Sequence, residues 1–296
     1  MPDGILIIDK PSGWTSMDVC AKLRGIYHER RIGHGGTLDP MATGVLPVFI
    51  GRATRAVEFA ERGEKVYEAL LRPGIVTDTQ DTAGTVLEQH PAAVNRSQLE
   101  RVLSNFTGEI QQIPPMYSAV KIHGKKLYEL ARKGREIERP ARTITIHALE
   151  LLDGPTPQGD WPLRVRCSKG TYIRTLCHDI GQALGCGAVM AGLRRTMACG
   201  YALQDASTLE QVLAADDPCR LLRTVDTLFA DRPALTLSEK EERRVRNGVP
   251  IPAADTLLSG EYRLYAQNGE FLALSRVQGT MLRAIKSFFK VETQVN

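Results

Sequence analysis

Several common signatures are missing from this chain, and each absence removes a class of function. None of its 296 residues falls in an apolar stretch near the roughly 18 to 20 residues that span a bilayer. The apolar run in "MPDGILIIDK" is too short for a signal peptide, so the expectation is a cytoplasmic protein. Six cysteines, at 20, 167, 177, 186, 199 and 219, form no CxxC pair. Neither a zinc site nor a disulfide framework is indicated; they are expected to serve as small buried hydrophobes, and no metal is assigned. No GxSxG nucleophile elbow occurs anywhere. The glycine-rich run at 33–48 lacks both the Gly-Lys-Ser/Thr ending of a phosphate loop and the GxGxxG spacing of a dinucleotide fingerprint.

What is present is an ordinary globular composition, 43% hydrophobic and 24% charged, in a chain long enough for one large domain and a small one. The net charge is only +4, but it is unevenly placed. In "KIHGKKLYELARKGREIERPAR", 121–142, eight Lys and Arg face three Glu, so this segment exceeds the charge of the whole chain. A basic segment on a near-neutral body suits a polyanionic partner met at one place. On charge alone, a solvated helix face would look the same.

The pattern along the chain predicts a short buried strand at Ile5–Ile8 and then a helix capped by Ser16, with Cys20, Leu23 and Tyr27 on one face. Strands are expected at "TGVLPVFIG" and "EKVYEALLRPG", with a short helix, "RATRAVEFAERG", between them. "TDTQDTAGTV" carries turn chemistry, with Gly84 free for a positive φ. An amphipathic helix, "NRSQLERVLSNFTGEI", stops near Gly108 and leads through a Pro-rich stretch into the basic segment, read as a partly helical excursion. Strands "TITIHALELL" and "LRVRCSKG" then precede a helix with Ile173, Leu176, Ile180 and Leu184 on one face. The elements intermix without a βαβ repeat, which indicates an α+β domain. Near residue 233 the texture changes to short alternating strands, "EYRLYAQ", "GEFLALSRV" and "LRAIKSFFKV", as in a small β-rich barrel.

One carboxylate stands out. "GHGGTLDPMATGVLPV" holds a single charged side chain, Asp39, among glycine, threonine and proline. An Asp-Pro in such a loop is ordinarily a turn starter. With its surroundings, however, the stretch resembles the catalytic signature of pseudouridine synthases, in particular the bacterial tRNA pseudouridine-55 synthases of the TruB family. Further segments agree in order: "DKPSGWTS" at 9–16, "KVYEA" at 65–69, "PPMYSAVKIHGKKLYELARKG" at 114–134, "CSKGTYIRTL" at 167–176 and "GLRRT" at 192–196. Gly35 stands where the family usually has Thr, a change expected to alter loop rigidity; Ala284 stands where PUA sequences often have Pro.

The resemblance implies a pseudouridine synthase fold, a mixed and largely antiparallel sheet flanked by helices and loops. It implies a catalytic domain over 1–232, with an RNA-contacting insertion at about 114–145, and a PUA-like RNA-binding domain over 233–296. It further implies isomerisation of a uridine in the T arm of tRNA, with no cofactor. Asp39 would be the catalytic carboxylate, acting by proton loss at C2' to a glycal or by covalent addition. Arg174 would hold Asp39 ionised, and Tyr67 would stack on the flipped uracil. Tyr172 and Leu193 would line the base pocket, His34 would hold the extruded RNA, and Lys10 and Pro11 would buttress the pocket floor. Lys121, Lys125, Lys126, Arg132 and Lys133 would contact phosphates. A monomer with no obligatory protein partner is expected. The alternative is a non-catalytic RNA-binding or RNA-folding protein on the same scaffold.

Overall fold

The computed structural model describes residues 2–118, 120–122 and 124–290. Among them no helix is long and apolar enough to cross a membrane. The chain opens with β1 (Gly4–Lys10), α1 (Ser16–Tyr27), β2 (Ile32–His34), β3 (Thr43–Ile50), α2 (Val57–Arg62) and β4 (Lys65–Pro73). A small hairpin, β5 (Ile75–Thr77) and β6 (Val86–Gln89), precedes α3 (Arg96–Leu103) and β7 (Gly108–Gln112). Among the described residues of the basic excursion lie β8 (Lys121–Ile122), β9 (Lys125–Lys126) and α4 (Leu127–Ala131). After it come β10 (Arg142–Leu151), β11 (Trp161–Cys167), α5 (Ile173–Leu184), β12 (Ala188–Ala198), β13 (Tyr201–Ala202) and α6 (Leu209–Ala214).

The large sheet runs β1-β3-β12-β4-β11-β10-β7, with β2 on β3 and β13 on β12. Only the β3/β12 pair is parallel. The sheet is thus mixed and largely antiparallel, with helices against it, as expected of an α+β fold. Residues 113–141 leave and rejoin this sheet between two paired strands, Gln112 of β7 facing Arg142 of β10.

A second, five-stranded sheet completes the chain. It comprises β14 (Ala234–Thr236), β15 (Ile251–Pro252), β16 (Glu261–Tyr265), β17 (Phe271–Gln278) and β18 (Met281–Ser287), with α7 (Glu239–Arg246) alongside. It forms the small β-rich C-terminal domain, and it shares a core with the large sheet. Phe229, almost wholly buried, meets Phe59 edge-on at 5.3 Å and also contacts Phe271 and Phe288, which stack on each other. Polar contacts at the same seam join Tyr265 to Asp226 and Lys286 to Glu58. Val291, read as the end of the last strand, and 292–296 lie outside the described residues.

Three local readings need correction. The cap of α1 is Thr15: its hydroxyl accepts from the Asp18 amide at 3.1 Å while the Asp18 carboxylate accepts from the Thr15 amide at 2.9 Å. Ser16 is the first helical residue, and its hydroxyl is used elsewhere. Gly84 does not take a positive φ; Gln80 does, at 62°. Glycine at 84 instead answers a close approach, since a Cβ there would lie 2.2 Å from Thr79 Oγ1. Of the large sheet's strands, β2, β7, β12 and β13 went unread in the sequence.

Four of the six cysteines are buried as expected, whereas Cys199 is half-buried and Cys219 exposed. Burial pushes the Cys20 and Cys167 thiols up to about 11 and that of Cys177 to about 12. A thiol raised in the folded chain stabilises it fully below the unfolded value. That stability is lost as the pH climbs toward the folded value. The urea midpoint should therefore fall between about pH 8 and about pH 10. A variant with Ala at 20, 167 and 177 should fall less steeply, and equal slopes would contradict the assignment.

Candidate active site

Asp39 sits between β2 and β3, on a loop whose backbone is fastened almost residue by residue. The Leu38 amide donates to Ser16 Oγ at 2.9 Å, and that hydroxyl donates to the Leu38 carbonyl at 3.2 Å. This explains why Ser16 is free of the capping role. The Pro40 carbonyl accepts from the Gly13 amide at 2.9 Å and from Lys10 Nζ at 3.2 Å. The fully buried Lys10 ammonium also donates to the carbonyls of Pro11 and Trp14, so its three protons are all placed. Burial pulls it down to about 8 against the opposing charge of Asp39. The segment 9–16 is therefore the cradle of the Asp39 loop, with Pro11 half-buried in it. The turn is also real: the Ala42 amide donates to the Asp39 carbonyl at 3.0 Å. Gly35 is a packing requirement, because a Cβ there would lie 2.8 Å from that of Ala60 and 3.0 Å from the Phe49 ring.

Arg174 reaches Asp39 from the first turn of α5. That helix buries Ile173, Leu176 and Ile180, with Leu184 packed at the core's edge. It lies close to the start of β12 because residue 181 is glycine; a Cβ there would come within 2.0 Å of the Ala188 amide. Arg174 is only 5% exposed, although an arginine in a first helical turn is usually at the surface. Its Nε lies 2.8 Å from Asp39 Oδ2 as an ion pair and its Nη2 donates to Oδ1 at 3.3 Å, so both carboxylate oxygens face the guanidinium. The rest of the guanidinium is committed as well. Nη1 donates to the Thr79 carbonyl at 3.0 Å and Nη2 to the Tyr117 carbonyl at 2.8 Å.

A second carboxylate, Asp81, went unread in the sequence. It is buried in the β5/β6 turn, 3.8 Å from Arg174 Nη1, and is held by Thr79 Oγ1 and the Ala83 amide. Nothing in "TDTQD" distinguishes it from an ordinary turn aspartate, since only the fold turns it toward Arg174.

Tyr67 on β4 is 6% exposed, and burial pushes its phenol up, so it is protonated near neutral pH. Leu193 shares its face of the sheet, two residues from Arg195, which stands directly opposite Tyr67. Tyr172 precedes α5; Gln112 grips it, accepting from its amide at 2.8 Å and donating to its carbonyl at 3.1 Å. His34 closes β2, half-buried, with Nδ1 unpartnered and its pKa lowered by burial, so the ring is neutral near pH 7. Lys121, Lys125, Arg132 and Lys133 are exposed on the excursion, Arg132 lying over the Tyr128 ring. The Lys126 side chain lies outside what is described. The root of that excursion is tied to the site through the Tyr117 carbonyl.

The site thus pairs Asp39 with the buried Arg174 and sets the Tyr67 phenol and Leu193 on one face of the sheet. This fold and site define a pseudouridylate synthase. A sequence model described as "TruB family pseudouridylate synthase (N terminal domain)" matches 24–173, and "tRNA pseudouridylate synthase B C-terminal domain" matches 174–229. The chain belongs to the TruB family. It is 44% identical to a tRNA pseudouridine synthase B of Ralstonia nicotianae, covering 95% of this chain and 92% of that protein. It is 42% identical to that of Syntrophomonas wolfei, covering 96% and 98%. Among solved structures it resembles a chain of a Cbf5-Nop10-Gar1 complex, with 27% identity and a TM-score of 0.72, covering 97% of this chain and 85% of that one.

Removing the buried arginine leaves Asp81 and two carbonyls without their partner, so Arg174→Met should destabilise the fold by about 3 kcal/mol. Asp39 is a third exposed, and Asp39→Asn should cost less than about 1 kcal/mol. Equilibrium urea unfolding of the two variants checks this; equal losses would contradict the asymmetry.

Proposed function

We propose that the protein isomerises the T-arm uridine at position 55 of tRNA to pseudouridine, with Asp39 as the catalytic carboxylate. The observation that carries this is the Asp39–Arg174 pair on a loop fastened from both sides. The relatives named above, tRNA pseudouridine synthases B at more than 40% identity, support the substrate. In the reaction the C1'–N1 bond breaks, the uracil turns, C1' joins C5, and the C5 hydrogen leaves as N1 gains a proton. Bonds are redistributed within one nucleotide, so no external donor is required. Asp39 serves either by supporting proton loss at C2' or by adding covalently.

The target base must first leave its stack. Tyr67 then stacks on the uracil, its protonated phenol available for proton transfer, and Tyr172 and Leu193 line the pocket. His34, neutral, helps to hold the extruded strand. Lys10 and Pro11 act through the loop they cradle. Lys121, Lys125, Lys126, Arg132 and Lys133 meet phosphates, positioning the RNA without reading sequence. In this reading residues 1–232 form the catalytic domain, with its insertion at about 114–145, and 233–296 an RNA-binding, PUA-like domain. The protein works in the cytoplasm as a monomer without an obligatory protein partner.

The test is tritium release from unmodified tRNA labelled at uridine C5, with EDTA present, for the wild type and Asp39→Asn. Release by the wild type alone, with tRNA affinity of the variant within about threefold, is expected. Release by the variant would overturn the role of Asp39. Tight tRNA binding without release by the wild type would favour an RNA-binding protein.

A further inference from the structure

Arg195 is the bulkiest of the fully buried side chains, with no exposure at all. Among the described residues no carboxylate lies within ion-pair distance of it. A buried cation without a counter-ion is costly, and an apolar side chain would ordinarily fill such a place better. Its position shows what the guanidinium supplies instead.

Arg195 lies on β12, between β3 and β4. On one side it pairs with Gly44, where the Asp39 loop runs out into β3; on the other it stands opposite Tyr67. Its side chain grips the same loop. Nε donates to the Val45 carbonyl at 2.7 Å and Nη2 to the Gly36 carbonyl at 3.0 Å, so the two held carbonyls lie on either side of Asp39 in the chain. The contact at Gly44 is close: its φ is +101°, and a Cβ there would lie 2.2 Å from the Arg195 carbonyl oxygen. No larger residue fits that juncture. The remaining nitrogen, Nη1, is buried and has no acceptor. Side chains directly opposite in an antiparallel pair stand on one face with Cβ atoms about 5 Å apart, which sets Arg195 beside the Tyr67 side chain. Its charge opposes the rise that burial imposes on the Tyr67 phenol.

We infer that Arg195 is a positioning residue for the isomerisation: one buried guanidinium ties down the Asp39 loop on both sides and registers it against Tyr67. It does so without touching the substrate. Arg174 aims the carboxylate, whereas Arg195 sets the distance between the carboxylate's loop and the aromatic wall. The inference rests on the function proposed above.

The experiment compares single-turnover tritium release at saturating tRNA for the wild type, Arg195→Met, Arg195→Lys, Tyr67→Phe and the double variant Arg195→Met/Tyr67→Phe. Arg195→Met should bind tRNA within about threefold of the wild type yet react about a hundredfold more slowly, the scale of a small misplacement at a reacting centre. Arg195→Lys keeps the charge without the fork and should recover less than about tenfold of that loss. In the Tyr67→Phe background, Arg195→Met should cost less than in the wild type, because the two act together. A purely structural arginine would give losses that multiply. An inactive wild type would sink the proposed function itself. With an active wild type, three outcomes overturn this inference and leave that function standing: an Arg195→Met rate within about threefold of the wild type, multiplying losses, or failure of both Arg195 variants to fold.

Discussion

The structure depends on one planar cation. Arg174 places its three nitrogens on four groups that no single element of the fold supplies. These are the Asp39 carboxylate between β2 and β3, the Thr79 carbonyl and Asp81 in the β5/β6 turn, and the Tyr117 carbonyl at the root of the basic excursion. Each group alone would be an ordinary loop feature. A rigid fork can satisfy all of them only if α5 lies at one height against the sheet, which is why Gly181 matters to a site several residues away. The packing of a helix thus becomes the aim of a carboxylate.

The same logic links the site to the basic excursion. The basic excursion leaves the sheet after β7 and returns to a paired position on β10, so its base is fixed by the sheet register. Near its root the Tyr117 carbonyl accepts from Arg174, and the Tyr128 amide donates back to the Ser118 carbonyl. The basic excursion outside and the Asp39 carboxylate inside therefore share a side chain, Arg174. Elsewhere Phe229, Phe271 and Phe288 fuse the small sheet to the large one.

How much of this was legible in the sequence follows from where charge sits. Strands with regular alternation, such as β4 and β11, could be read from their residues because every second side chain is buried. The central strand β12 could not, since Arg195 occupies a core position and Gly192 breaks the pattern, so the stretch looks like a polar turn. The strand that carries the arginine pinning the Asp39 loop was hidden by that arginine. Asp39, Tyr67 and Arg174 were legible through their motifs, and the structure brings Asp39 and Arg174 to 2.8 Å. Asp81 was not, because its motif is that of any turn. The exchange of Thr15 for Ser16 as the cap has the same origin: either hydroxyl could cap α1, and only the fold reveals that Ser16 is needed at Leu38.

Direction and charge are the two things Arg174 can lend Asp39, and Arg174→Lys separates them. Lysine keeps a cation near Asp39 but cannot face both carboxylate oxygens and hold two carbonyls at once. The measurement is the single-turnover rate of pseudouridine formation in saturating tRNA, beside the affinity for the same tRNA. If direction matters, affinity stays within about threefold of the wild type and the rate falls by about two to three orders of magnitude. A lysine variant that reacts at the wild-type rate would show that charge alone suffices and would contradict a role in direction.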